Sequence, residues 1–100
     1  MPILAIFTGK GFTKEMYENL RPEVKWETDN PEGGISHVAS FDDKGNIHVA
    51  DVWESEEMMN SFVQSRLIPA FQKLNIPIPE VQVYPAHNIN AYKSIEKYIL

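Results

Sequence analysis

His37 and Asp51 are the side chains whose types and spacing best suit shared acid–base chemistry. They flank the turn "DDKG" at residues 42–45; if Asp43, Lys44 and Gly45 form the loop, Asp42 pairs with Asn46. Counting back sets Phe41 opposite Ile47, Ala39 opposite Val49 and His37 opposite Asp51. Directly opposed side chains on one sheet face stand roughly 5 Å apart at Cβ. An aspartate at that distance favours the protonated imidazole and orients its ring, as a general base or an anion-binding cation requires. The same pair also reads as a cross-strand ion pair at the rim of an interface, an ordinary feature of sheet ends.

Other groups are weighed in the same way. Helical spacing puts Arg66 within an apolar stripe of Met59, Phe62, Val63 and Ala70. There it either binds a substrate carboxylate or enolate, or buries its stem and reaches water. Tyr84 points opposite to Val81 and Val83 on its strand, where its hydroxyl could donate to a bound carbonyl or pack at an interface. Trp53, with Phe7 and Phe62, could wall a pocket for a flat ligand, and an indole at a strand-to-helix junction also packs beneath the helix. His48 lies on the other face of its strand, and His87 follows the last strand. No HxH or HxxxH spacing supports a metal. Gly33 and Gly34 lack the strand–loop–helix setting of a phosphate loop, so no cofactor is expected, and no GxSxG nucleophile elbow occurs.

The elements that must position these groups follow from the patterning. Residues 2–8, "PILAIFT", form a nearly continuous apolar run closed by Gly9 and Gly11, which suits a first strand. Thr13 can cap a helix carrying Met16, Tyr17 and Leu20, a pattern that Pro22 is expected to end or kink. Strands at 35–42 and 46–54 make the hairpin, with Gly45 as a left-handed residue. Ser55 caps a second helix with Glu56 and Glu57 in its first turn. Pro69 removes the donor for the Ser65 carbonyl, so a kink or break is expected at 65–68, turning Ile68 and Phe71 inward. "VQVYPAHN" is the last strand, and the tail from 91 to 100 is a short helix or an arm laid on a partner.

The order βαββαβ specifies a ferredoxin-like α+β domain over residues 1–90: a two-layer sandwich with one antiparallel sheet and both helices on one face. With 43% hydrophobic residues in 100, the chain can build a core, yet a domain this small leaves much surface uncovered. Dimerisation through the bare sheet face is the expected remedy. A net charge of −5 without a basic stripe argues against nucleic acid. The absence of cysteine fits a reducing compartment, and a cytoplasmic location is expected. The N-terminal apolar run has no signal-peptide flanks, and no apolar stretch approaches the roughly 18 residues of a membrane span.

"VADVWESEEMMNSF" (49–62), followed by "SRLIPAFQKLNIP" (65–77) and "VQVYPAHN" (81–88), resembles the dimeric α+β-barrel proteins grouped around antibiotic-biosynthesis monooxygenases. The telling piece is a strand ending in Trp-Glu-Ser-Glu that runs directly into an amphipathic helix. The resemblance implies two subunits pairing sheet to sheet, each with a small-molecule pocket between sheet and helices. It implies activities that include cofactor-free oxygenation of aromatic polyketides or quinols, haem degradation and isomerisation. The haem-degrading branch carries a helix tryptophan and, ten positions later, a histidine; Phe62 and Gln72 stand there in this sequence, so haem breakdown is not expected.

The leading expectation is a homodimer resembling cofactor-independent monooxygenases and acting on a small aromatic or enolic substrate. His37, Asp51 and Arg66 would be catalytic, and Phe7, Trp53, Phe62 and Tyr84 would bind substrate. The alternative is a non-catalytic dimeric ligand-binding or structural protein. A closed apolar cavity discriminates between them, whereas a space filled by Met58, Met59, Phe62 and Phe71 weakens every ligand-based reading.

Overall fold

The first two helices begin where the sequence supplies a hydroxyl. In the computed structural model, which describes residues 1–100, Thr13 accepts from the Met16 N–H and Ser55 from the Met58 N–H. These caps start α1 (Lys14–Val24) and α2 (Glu56–Phe62). Pro22 does not end the first helix: α1 continues to Val24, burying Leu20 and Val24. It stops where Lys25 turns left-handed at φ 65° and returns its N–H to the Arg21 carbonyl at 2.9 Å.

The break expected near Pro69 takes the form of a π-helical turn, Val63–Leu67, between α2 and α3 (Ile68–Leu74). The Ile68 N–H reaches the Val63 carbonyl, one residue farther back than in an α-helix. Widening the turn in this way accommodates the donor missing at Pro69 and brings Ala70 and Phe71 into the core.

Four strands, β1 (Ile3–Gly9), β2 (Gly34–Phe41), β3 (Ile47–Trp53) and β4 (Glu80–Pro85), form one antiparallel sheet in the order β2-β3-β1-β4. The hairpin register is the one set by its turn: Phe41 faces Ile47, Ala39 faces Val49 and His37 faces Asp51. Gly45 takes φ 77°, and Asp42 holds the turn with its carboxylate on the Lys44 and Asn46 N–H groups, both at 2.9 Å. An irregularity between Gly34 and Ser36 interrupts the pairing of β2, which resumes with Gly34 opposite Trp53.

Strand alternation divides the sheet. Ile3, Ala5, Phe7, Ile47, Val49 and Trp53 face the helices and pack with Met59, Phe62, Ala70 and Phe71 in one core. Leu4, Ile6, Val38, Ala50, Val52 and Tyr84 occupy the opposite face, where Val38 is 63% exposed. Phe71, 4% exposed and edge-on to Phe12 at 5.9 Å, anchors α3. Phe71→Ala is expected to cost about 3–5 kcal/mol, measured by urea unfolding; a loss below about 1 kcal/mol would mean the core closes over the gap.

Beyond β4 the chain makes a 3-10 helix, Lys93–Tyr98, that leaves Tyr92, Tyr98, Ile99 and Leu100 exposed. No helix is long and apolar enough to cross a membrane.

Candidate functional site

The register of β2 and β3 brings His37 and Asp51 together on the helix side of the sheet. Asp51 Oδ1 lies 2.7 Å from His37 Nδ1, and its Oδ2 accepts from the Trp53 indole N–H at 3.3 Å. Asp51 is the one charged residue in the core, 8% exposed, while the His37 side chain keeps 34% of its surface open. A carboxylate at Nδ1 selects the tautomer protonated there, which leaves Nε2 of the neutral ring as an acceptor.

That acceptor is occupied by a residue the sequence assigned only to the stripe of α1. The Tyr17 hydroxyl stands 2.7 Å from His37 Nε2, and its ring is parallel to the imidazole within 3° at 6.1 Å. Phe41 meets Tyr17 edge-on at 5.8 Å, and the Trp26 indole lies 5.5 Å from both the Tyr17 and His37 rings. Burial, and then the nearby Glu27 carboxylate, push the Tyr17 phenol up to about 12, so it stays a neutral O–H donor at neutral pH.

Trp26 belongs to a loop fastened on both sides. Arg21 clasps Glu27 through Nε and Nη2 at 3.1 and 2.8 Å, and Asn30 Nδ2 donates to the Trp26 and Glu27 carbonyls. Arg66 Nη2 donates to the Val24 and Asp29 carbonyls, both at 2.8 Å, with the guanidinium 5.0 Å above the Phe62 ring. These contacts make Arg66 a clamp on the loop that presents Trp26.

The remaining expected residues stand elsewhere. Phe7, Trp53 and Phe62 belong to the packed core, with Trp53 and Phe62 ring to ring at 5.4 Å. Tyr84 lies on the bare sheet face and donates to Gln82 at 3.0 Å. Met59, Phe62 and Phe71 fill the space beneath the helices, whereas Met58 stays at the surface against Gly33. Two hollows, of about 740 and 320 Å³, open on outer helix surfaces. The larger is lined by polar residues of the α2 side, and neither includes His37, Asp51 or Tyr17. No three His, Asp or Glu side chains cluster as metal ligands would. His87 is exposed past β4.

His48 caps the other end of the hairpin, its Nε2 2.9 Å from Asp42 Oδ2. Hydrogen bonds from His48, and then from the Asn46 N–H, hold the Asp42 carboxyl down from 3.8 to about 2. A folded-state value below the unfolded one stabilises fully above 3.8, and that contribution is lost as pH falls toward 2. Acid unfolding followed by circular dichroism is therefore expected to show a component in this window that Asp42→Asn lacks. Identical acid profiles for the two proteins would remove the turn lock.

No family model matches the chain, and no curated protein matches it. Solved structures do. SnoaB, a cofactor-independent oxygenase from Streptomyces nogalater, superimposes with a TM-score of 0.62 at 15% identity, over 88% of this chain and 94% of that one. A candidate antibiotic biosynthesis monooxygenase from Chloroflexus aurantiacus J-10-fl gives 0.63 at 18% identity, over 90% and 98%. A conserved protein from Methanosarcina mazei Go1 gives 0.64 at 16% identity, over 84% and 91%. These likenesses define the class of fold: the chain has the ferredoxin-like α+β fold of antibiotic-biosynthesis-monooxygenase-type structures.

Proposed function

We propose that this protein is a cytoplasmic, cofactor-independent oxygenase of small aromatic or enolic compounds that works as a homodimer. The observation that carries the reading is the short His37–Asp51 pair, with its carboxylate buried and its imidazole partly open. A carboxylate fixed at Nδ1 orients the ring and balances the positive charge it gains as a general base. Deprotonation turns a phenol or enol into an electron-rich anion that reacts with dioxygen. For an anthrone-like methylene the balance is one CH2 and one O2 giving one C=O and one water. His37 takes up the proton, Asp51 faces the resulting cation, and the Trp26, Tyr17 and Phe41 rings offer a flat ligand an apolar border. The bare face of Leu4, Ile6, Ala50 and Val52 is assigned to the second copy.

The packing of Phe7, Trp53 and Phe62 in the core favours, within the alternative of a non-catalytic dimeric ligand-binding or structural protein, the structural form. Oxygen uptake with anthrone and hydroquinone substrates separates the two. Uptake of one O2 per substrate above the uncatalysed rate supports the oxygenase. Ligand binding without uptake supports the alternative.

A further inference from the structure

Both ring nitrogens of His37 are already engaged, Nδ1 by Asp51 and Nε2 by the Tyr17 hydroxyl, each at 2.7 Å. No ring lone pair is left to meet a ligand, so a proton leaving a substrate reaches the imidazole through its outer partner. The hydrogen bonds also grade in exposure. The Trp53–Asp51 bond is buried, the Asp51–His37 bond is partly buried, and the His37–Tyr17 bond is exposed. The end of the chain farthest from the buried Asp51 is thus a phenol, itself half-buried. We propose that Tyr17 is a further catalytic residue, accepting the proton of a phenolic or enolic hydroxyl on the ligand while handing its own to His37. The proposal rests on the oxygenase reading of this site and names the atom that would touch substrate.

In this step the substrate O–H bond breaks and a new O–H bond forms on Tyr17 Oη. The original Tyr17 proton joins His37 Nε2, leaving a substrate phenolate or enolate and an imidazolium opposite Asp51. No electrons change hands. The Tyr17 ring is well set for a relay, since the parallel imidazole, the Phe41 edge and the Trp26 indole hold it in place. A planar ligand whose hydroxyl meets Tyr17 Oη comes beside Trp26, on the loop fixed by Arg21, Asn30 and Arg66. The ligand class is therefore a flat hydroxyarene or its enol equivalent.

The test uses 4-nitrophenol, whose anion absorbs visible light, as a probe that does not turn over. Bound to the wild-type protein, it is expected to ionise about tenfold more than free probe at the same pH, one unit of pKa. Tyr17→Phe keeps the ring and the packing; it is expected to lose that excess and to lower kcat for oxygen uptake by about 10²-fold with little change in KM. Absence of the excess in the wild type, or its persistence in Tyr17→Phe, overturns the relay. Oxygen uptake unchanged in Tyr17→Phe also overturns it and leaves the oxygenase reading intact. Probe ionisation that depends on Tyr17 in a protein that consumes no oxygen upholds the relay and removes the oxygenase.

Discussion

Alanine at His37 is expected to lower oxygen uptake by about 10²–10⁴-fold, the range that a positioned general base contributes. The substitution removes the only imidazole within hydrogen-bond reach of both Tyr17 and Asp51. It also strips a partner from Asp51, which is 8% exposed and keeps only the longer bond from Trp53 at 3.3 Å. Leaving a buried acceptor short of partners costs about 1–3 kcal/mol, so His37→Ala is expected to unfold at lower urea concentration as well. Asp51→Asn separates the two effects. It retains shape and polarity but removes the charge that faces the imidazolium, so stability changes less while uptake falls by about 10²-fold or more. His37→Ala together with Asp51→Ala recovers part of the lost stability, because no carboxylate is then stranded, and recovers none of the activity. Oxygen electrode traces and urea curves on the same preparations check all three proteins. A His37→Ala protein within threefold of wild-type uptake would assign the pair to architecture alone.

The pairing of His37 with Asp51 was legible because it is a local property of one hairpin. The "DDKG" turn, with Gly45 able to adopt a positive φ, fixes the register, and a period of two carries it without error back to residues 37 and 51. Ser55 and Thr13 mark helix starts for an equally local reason, a side-chain oxygen within one turn of free N–H groups. The helix runs past Pro22 to Val24 because losing one helical hydrogen bond is outweighed by what α1 gains in burying Leu20 and Val24.

Tyr17 and Trp26 were not legible as site residues because nothing near them in sequence places them. The meeting of Tyr17 with His37 depends on the rotation of α1 about its axis over the sheet, a consequence of how Leu20, Val24 and Phe71 pack. Trp26 depends on a loop path set by Arg66, a residue 40 positions later by its number, and by the Arg21–Glu27 clasp. A signal was present in a large aromatic, Trp26, standing immediately before the polar segment "ETDNPEGG". Arg66 illustrates the converse. Its place in an apolar stripe marked it as unusual, and its guanidinium proves committed to two carbonyls and the Phe62 ring rather than aimed at His37.

Ile6→Asp is expected to turn a dimer into a monomer. Ile6 sits on β1, one of the two interior strands, paired with Ala50 on one side and Gln82 on the other, in the middle of the face that no helix covers. In a two-fold interface one substitution introduces two carboxylates, each facing the same surface on the other copy. Desolvating an unpaired charge costs several kcal/mol, and each 1.4 kcal/mol weakens association tenfold, so the dimer constant should fall by at least about 10³-fold. Sedimentation of wild type and variant at matched concentration reads this directly, with Asn60→Asp on the exposed side of α2 as a charge control that leaves association unchanged. A wild-type chain that sediments as a stable monomer removes the dimer from the proposal. Because Tyr17, His37 and Asp51 lie across the sheet from Ile6, a folded Ile6→Asp monomer keeps their hydrogen bonds. Whether it still consumes oxygen then tells how much of the binding site the second copy supplies.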